Sequence, residues 1–409
     1  MNVPLRFQAI DGSQYPDYRT NIIFKGYKWD PQVADQNTVA KYVLIVSKEI
    51  AQKLGIWAEQ LSRETMLMEE ALIHNLPLAK ELGLPRQILK VLPRLLCYKR
   101  EQHVRLMRFD FHPVLSGADN DSGWAVSELN SDVPGGLAEA SVLPEIACQY
   151  VDAAVGENVA VKLLEAFQSK IKRNGNIAFI HATSYSDDRQ VMQFLGDYFN
   201  CHGMNSIYAA PDHVRWEDRN AFSIIKGQEC PLDGIVRFFP LEWLVNLPKN
   251  SRWQGYYDCL TPSCNHPAAI FAQSKRLPLI WDSLGINVPA WKQFLPDTFD
   301  PGQISPDDEN FIFKPALGRV GEGISIREVI SEKEMMQIKK AVKKKPENWV
   351  SQRSFKSIPI SADDGETYHL CVGVFTVDGK NAGFYGRISP YPRIDSGAID
   401  IPILIEKEK

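Results

Sequence analysis

From residue 311 to residue 326 the chain reads F-I-F-K-P-A-L-G-R-V-G-E-G-I-S-I: an aromatic and β-branched run ending on a lysine, three glycines within six residues, then a second alternating run. That order predicts strand, glycine loop, strand. Glycines at 318, 321 and 323 let the backbone adopt positive φ and turn N–H groups toward an anion, and Lys314 adds a point charge beside them. A nucleotide phosphate suits that chemistry. The spacing G-x-x-G-x-G is neither G-x-x-x-x-G-K-[ST] nor G-x-G-x-x-G, and both of those motifs open a helix where a strand is expected here. Taken alone, the stretch equally describes a glycine-rich hairpin carrying a surface lysine.

A chain of 409 residues, 44% hydrophobic, can bury a sizeable core in two or three packed units, which excludes a disordered or fibrous protein. Its 46 basic and 50 acidic side chains give a net charge of -4, so nucleic acid is not an expected partner. The lysines of residues 339–345 read as the solvated end of a helix, where cations suit the dipole. Seven cysteines without C-x-x-C spacing point to reduced thiols in a cytoplasmic protein, with neither a zinc site nor a disulfide framework. No apolar span reaches about 18 residues and no signal-peptide pattern opens the chain, so no membrane partner is expected.

A second informative stretch runs from Val104 to Ala140. Arg108-Phe109-Asp110 sits in one alternating run and Glu128-Leu129-Asn130 in another, with a polar turn at 119–123 between them. Strand alternation places Arg108 with Asp110 on one face, and Glu128 with Asn130 on one face of the partner. If the faces coincide, three oxygen ligands and an arginine converge. Mg²⁺ takes one or two carboxylates and completes its shell with water and nucleotide phosphates, and an arginine beside it can hold an anionic group bidentately. A solvated hairpin edge is the alternative. The apolar neighbours Phe109, Phe111, Trp124, Val126 and Leu129 weigh against it, because semi-buried polar groups need partners.

The remaining segments fill out a mixed α/β fold. Residues 1–40 read as loops and short strands, and 36–81 as two or three helices. After Gly135-Gly136 a single helix is expected over 137–167. Residues 176–181, 187–201 and 203–209 form a β-α-β pattern and 234–239 a further strand, the marks of a small open α/β sheet. Ligands of such sheets bind beyond the carboxyl ends of the strands, here the polar loop 181–188, although His181 reads equally as a structural histidine. Trp29 and Trp57 read as core or as stacking platforms. Near the C-terminus two strands are joined by the turn Asp378-Gly379, and Pro402 marks 399–405 as an edge strand or extended segment.

Several separated motifs resemble the glutathionylspermidine synthase family. They are W-D-P-Q-V at 29–33, A-E-x-L-x-x-E-T at 58–65, L-G-L-P at 82–85, R-F-D at 108–110 and E-L-N-S-D-V-P at 128–134. S-K-x-x-L-P near Lys275, K-P-x-L-G-R at 314–319 and G-x-x-x-R at 383–387 complete the set. The resemblance implies an ATP-grasp fold with permuted connectivity: a small open-sheet α/β substrate domain at 171–265, between an N-terminal helical segment with the metal-binding strands at 1–170 and a nucleotide-binding region at 266–409. It implies Mg²⁺ on Asp110, Glu128 and Asn130. ATP falls to Lys275 and Lys314, with the loop of Gly318, Arg319, Gly321 and Gly323 closing over the phosphates and Gln352 by the adenine. Arg108 and Arg387 face the reacting phosphoryl and carboxylate groups. The family's loop usually reads G-R-E-G-A-N where this chain has G-R-V-G-E-G, and the amidase module of bifunctional members is not expected. The implied activity is an ATP-dependent carboxylate–amine ligase acting on small molecules, or on a peptide or carrier protein. A small-molecule kinase and a non-catalytic ATP-binding protein use the same parts.

Overall fold

The computed structural model describes residues 5–29, 31–33, 36–115, 122–319 and 323–407. Its main sheet is antiparallel and draws strands from distant parts of the chain. In spatial order these are Ile399–Ile401, Lys380–Ser389, Thr367–Val377, Leu106–Pro113 and Trp124–Asn130, with the short Ile360–Ser361 strand alongside the third. Asp378 and Gly379 take φ of 47 and 83, the paired positive values of the tight turn expected there. One face of this sheet is apolar. Phe109, Phe111, Val372 and Val374 are fully buried there, in one cluster with Leu54, Ala58, Leu61, Met68 and Leu72 of the Lys48–His74 helix. With the buried Thr65 between Leu61 and Met68, those helix positions recur every three or four residues, as an amphipathic stripe requires.

This helix starts where Ser47 Oγ accepts from the Ile50 N–H at 3.3 Å. The residues before it were expected to be helical, yet Tyr42–Val46 is a strand buried on both faces. Its β-branched run lies between Leu5–Ala9 and Ile403–Ile405, so the tail closes a three-stranded sheet with the N-terminus. Pro402 splits the tail between two sheet edges, in agreement with its missing N–H. Within the first 40 residues an unexpected helix, Tyr15–Lys25, buries only Tyr18 and Ile22, too few positions to announce a period. The single helix expected over 137–167 is two, Leu137–Ala147 and Val159–Gln168, the second begun by Asn158, whose side chain accepts from the Ala160 N–H at 3.0 Å.

The β-α-β pattern forms a four-stranded parallel sheet in the order Ser263–Cys264, Gly234–Phe238, Asn176–His181, Asn205–Ala209. Asn265 ties it to the main sheet: its amide donates to the Leu106, Ser131 and Asp132 carbonyls at 2.8, 3.0 and 3.0 Å. A third sheet, Thr298–Phe299, Trp349–Arg353 and Phe311–Pro315, carries the Glu332–Lys344 helix through Phe313, Ile338 and Val342. Residues 324–326, expected as the strand after the glycine loop, do not form one. Ser325 instead bonds back to Phe313 through its N–H and its Oγ, at 3.2 and 2.7 Å. Trp57 packs against Phe294 at 4.9 Å, while Trp29 is 44% exposed. Among the described residues no helix is long and apolar enough to cross a membrane.

Arg105 and Glu69 form an ion pair, each side chain 3% exposed, beneath the junction of the main and parallel sheets. Glu69→Ala leaves a buried guanidinium without its anion and is expected to cost about 3–5 kcal/mol in urea unfolding. A loss under about 1 kcal/mol would show that the Ser131 and Leu106 carbonyls alone satisfy Arg105.

Candidate active site

The second face of the main sheet is polar. Arg108 lies opposite Asn130 and Asp110 opposite Glu128, so the two faces read from sequence do coincide. The rows continue across the next strands, with Gly373 beside Asp110, Tyr385 beside Gly373, Cys371 beside Arg387 and Arg387 beside Asp400. This face floors a cavity of about 1250 Å³.

Arg108 is held on several sides. Its Nε and Nη2 donate to the two Asp110 oxygens at 2.7 and 2.9 Å, its Nη1 donates to Gly135 O at 2.6 Å, and its guanidinium lies 5.1 Å from the centre of the Tyr385 ring. Gly373 makes room for it, since a Cβ there would stand 2.8 Å from Arg108 Cδ. Gly136, at φ 84, lets the ring of Tyr385 approach: a Cβ would meet it at 2.8 Å. Asn130 Nδ2 donates to Asp110 Oδ2 at 3.0 Å, turning the amide oxygen the other way. Arg387 lines the cavity and donates to the Asp395 carbonyl.

The opposite wall comes from the third sheet, and the turn after Ile270–Gln273 lines a small pocket adjoining it. Lys275 Nζ lies 3.0 Å from Glu128 Oε2 and donates to Gly318 O at 2.8 Å; Lys314 Nζ donates to Ser127 O at 3.0 Å. Burial pushes the Glu128 carboxyl up, but the two ammonium groups outweigh it and hold it down at about 2. Burial pushes Lys314 down, Glu128 opposes and Lys275 reinforces it, and the ammonium settles at about 8. The pair of lysines thus meets a permanent anion.

The glycine loop departs from expectation in part. Gly323 has φ 68, but Gly318 does not take positive φ and its N–H closes a turn onto Pro315 O at 3.2 Å, so it is not aimed at an anion. Gly321 lies outside the described residues. Arg319 points across the cavity to Glu242, with Nη2 at 2.7 Å from Oε1, and stands 3.8 Å from Asp132. Gln352 is buried beside Lys275 and Lys314 in a small adjoining pocket; its Nε2 donates to Thr298 Oγ1 at 2.9 Å and its Oε1 is buried without a partner. Trp281, on the same pocket, buries an unpartnered Nε1. His181 is buried, with Nδ1 3.3 Å from Phe179 O, whereas Asp187 and Asp188, in the first turn of the Ser186–Cys201 helix, do line the cavity.

The match of the glutathionylspermidine synthase preATP-grasp family model extends over residues 10–404. The chain belongs to this family. Family membership and the sheet order agree on an ATP-grasp-like mixed α/β fold, and the synthetase description makes the protein a member of a ligase family. A solved glutathione synthetase-like effector from Globodera pallida, in apo form, shares the fold at TM-score 0.62 and 9% identity, over 97% of this chain and 98% of that one. A putative gamma-glutamylcysteine synthetase from Methylobacillus flagellatus KT has TM-score 0.42 and 12% identity, over 79% and 84%. No curated protein matches the chain.

For a family ligase the donor chemistry fits both implied ligands. Two carboxylates, one of them held ionised by lysines, suit a hard cation, whereas Asn130 turns its Nδ2 and not its oxygen toward Asp110. Among the described residues no group of three or more His, Cys, Asp and Glu side chains is placed to hold a metal ion. The buried acceptor on Gln352 and donor on Trp281 are of the kind that a nucleobase edge satisfies. Sequence reasoning missed Gly373, Tyr385, Asp400, Glu242 and Lys28. Only Tyr385 had a signal, inside the G-x-x-x-R motif; the others are brought in by register and by chain crossings.

Proposed function

We propose that this protein is an ATP-dependent carboxylate–amine ligase that forms an amide through an acyl phosphate. The observation that carries the reading is the meeting of two walls: Arg108, Asp110, Glu128 and Asn130 on the main sheet line one cavity with Lys314 opposite, and Lys275 stands 3.0 Å from Glu128 Oε2 in the small pocket adjoining it. The carboxylate oxygen attacks the γ-phosphorus, ADP leaves, and the amine nitrogen then displaces phosphate from the acyl carbon while losing a proton. Little covalent help is needed for such a transfer; the protein supplies position and positive charge. Lys275 and Lys314 neutralise the phosphate oxygens, and Arg387 orients the acid. Arg108, locked on Asp110, keeps that carboxylate in place. Asp110, Glu128 and, with its amide turned over, Asn130 would hold Mg²⁺, which would supply charge against the developing phosphoryl oxygens.

Screening acid and amine pools for ATP-dependent phosphate release, followed by mass analysis, tests the reading. An amide plus ADP and phosphate is expected. A phosphoester product would make the protein a kinase, and nucleotide binding without turnover on any pair would make it a binding protein; either result ends the proposal. A mass shift on an added peptide or carrier protein identifies a macromolecular substrate.

Gln352→Leu removes the buried acceptor while keeping the volume. Mg-bound non-hydrolysable ATP is expected to bind about tenfold more weakly by calorimetry, the cost of one unmade buried hydrogen bond. An unchanged affinity would place the base elsewhere.

A further inference from the structure

Resting on the ligase reading, we infer that Lys28 is a positioning residue for the acid-binding arginines: it occupies Asp400 so that Asp400 does not capture Arg387. The Lys28 ammonium lies between two carboxylates, 3.0 Å from Glu139 Oε1 and 2.7 Å from Asp400 Oδ2, with only 13% of the side chain exposed. The other Asp400 oxygen accepts from Tyr385 Oη at 2.7 Å. Tyr385 is the residue whose ring carries the Arg108 guanidinium, and Asp400 stands directly opposite Arg387 across the sheet. One carboxylate therefore touches the surroundings of both arginines.

The charge balance makes the arrangement consequential. Asp400 and Glu139 are 5% and 8% exposed, and Glu139 Oε2 is buried without a partner. Lys28 is the cation given to both. Without it the two carboxylates stay buried, and the Arg387 guanidinium, opposite Asp400 across the adjacent strand and donating from Nη2 to the Asp395 carbonyl, is placed to replace it. Arg387 drawn onto Asp400 is neutralised and turned from the cavity. Tyr385, pulled by the same oxygen atoms, shifts the ring under Arg108. Lys28 reaches the site from the segment just after the first helix, Tyr15–Lys25, and nothing in its local sequence, G-Y-K-W, identifies the role.

Arginine reactivity toward phenylglyoxal, read by peptide mass mapping at Arg387, tests this without any substrate. Lys28→Met is expected to slow modification of Arg387 at least about fivefold, the effect of a modest new ion pair on the guanidinium. Lys28→Arg is expected to keep the wild-type rate, and the double variant Lys28→Met with Asp400→Asn to return to it. Unfolding would speed modification, so a slower rate separates capture from damage. An unchanged or faster Arg387 rate in the single variant, with a folded near-ultraviolet spectrum, overturns the inference, and so does failure of the double variant to recover. In turnover assays with an active acid–amine pair, the single variant is expected to raise KM for the acid tenfold or more while KM for Mg-ATP stays within twofold. Because the chemical labelling needs no turnover, failure of the ligase reading leaves its outcome intact.

Discussion

Asp110→Asn and Glu128→Gln are each expected to cut ATP turnover at least about 100-fold while the protein stays folded, because each removes charge that positions the cation against the transferring phosphoryl group. The amide replacements matter here. Asp110 accepts both Arg108 donors and one from Asn130, so alanine would leave all three donors without an acceptor and confuse loss of fold with loss of chemistry, whereas asparagine keeps the volume and one acceptor oxygen. Glu128→Gln keeps the shape and one acceptor for Lys275 but removes the charge that the two lysines hold ionised. Steady-state phosphate release and near-ultraviolet circular dichroism check the pair of variants. Wild-type turnover in either one would remove that residue from the metal assignment. Isosteric replacements that lose turnover together with the near-ultraviolet signal would instead assign both carboxylates to the fold.

The second large effect is a pH dependence of nucleotide affinity. Burial holds the Lys314 ammonium at about 8, well below an exposed lysine, so near neutral pH it is charged and with rising pH it is lost. Phosphate groups need the charged form. Affinity for Mg-bound non-hydrolysable ATP is therefore expected to be flat below pH 7 and to fall above pH 8, approaching about tenfold per unit, the limit for one linked proton. Binding at pH 8.5 is expected to take up a proton, seen as a dependence of the calorimetric heat on the buffer's ionisation enthalpy. The sign for folding runs the other way. Since the native value lies below the unfolded one, Lys314 costs stability below pH 8, and that cost is relieved as pH rises through 8 toward the ordinary lysine range. Lys314→Met is expected to weaken binding near pH 7 and to abolish the slope. A slope unchanged in that variant would assign the titration to another group.

Strand alternation made the site floor legible. Arg108 with Asp110, and Glu128 with Asn130, could be placed on shared faces from spacing alone, and the polar turn between the runs made antiparallel pairing the natural consequence. Buried β-branched runs likewise announced the parallel sheet, and Asp378-Gly379 announced its hairpin. Other local patterns misled. The Tyr42–Val46 run carries no mark distinguishing a strand buried on both faces from part of a helix, because its partners are Leu5–Ala9 and the chain's last strand, Ile403–Ile405. The glycine loop looked like a ring of N–H donors, but at Gly318 the turn onto Pro315 takes the N–H.

By itself, then, the sequence determined which residues could carry chemistry and which would share a strand face, since both follow from side-chain type and a fixed period of two. The tertiary structure decided what those residues do to one another. Arg108 became the holder of Asp110, Arg319 turned to Glu242, and Lys28 came to stand between Glu139 and Asp400. Such pairings arise from sheet order and from crossings between segments far apart in the chain, and burial then fixes their charge. Neither sheet order nor burial is encoded in any local pattern, so the site's electrostatics belong to the fold.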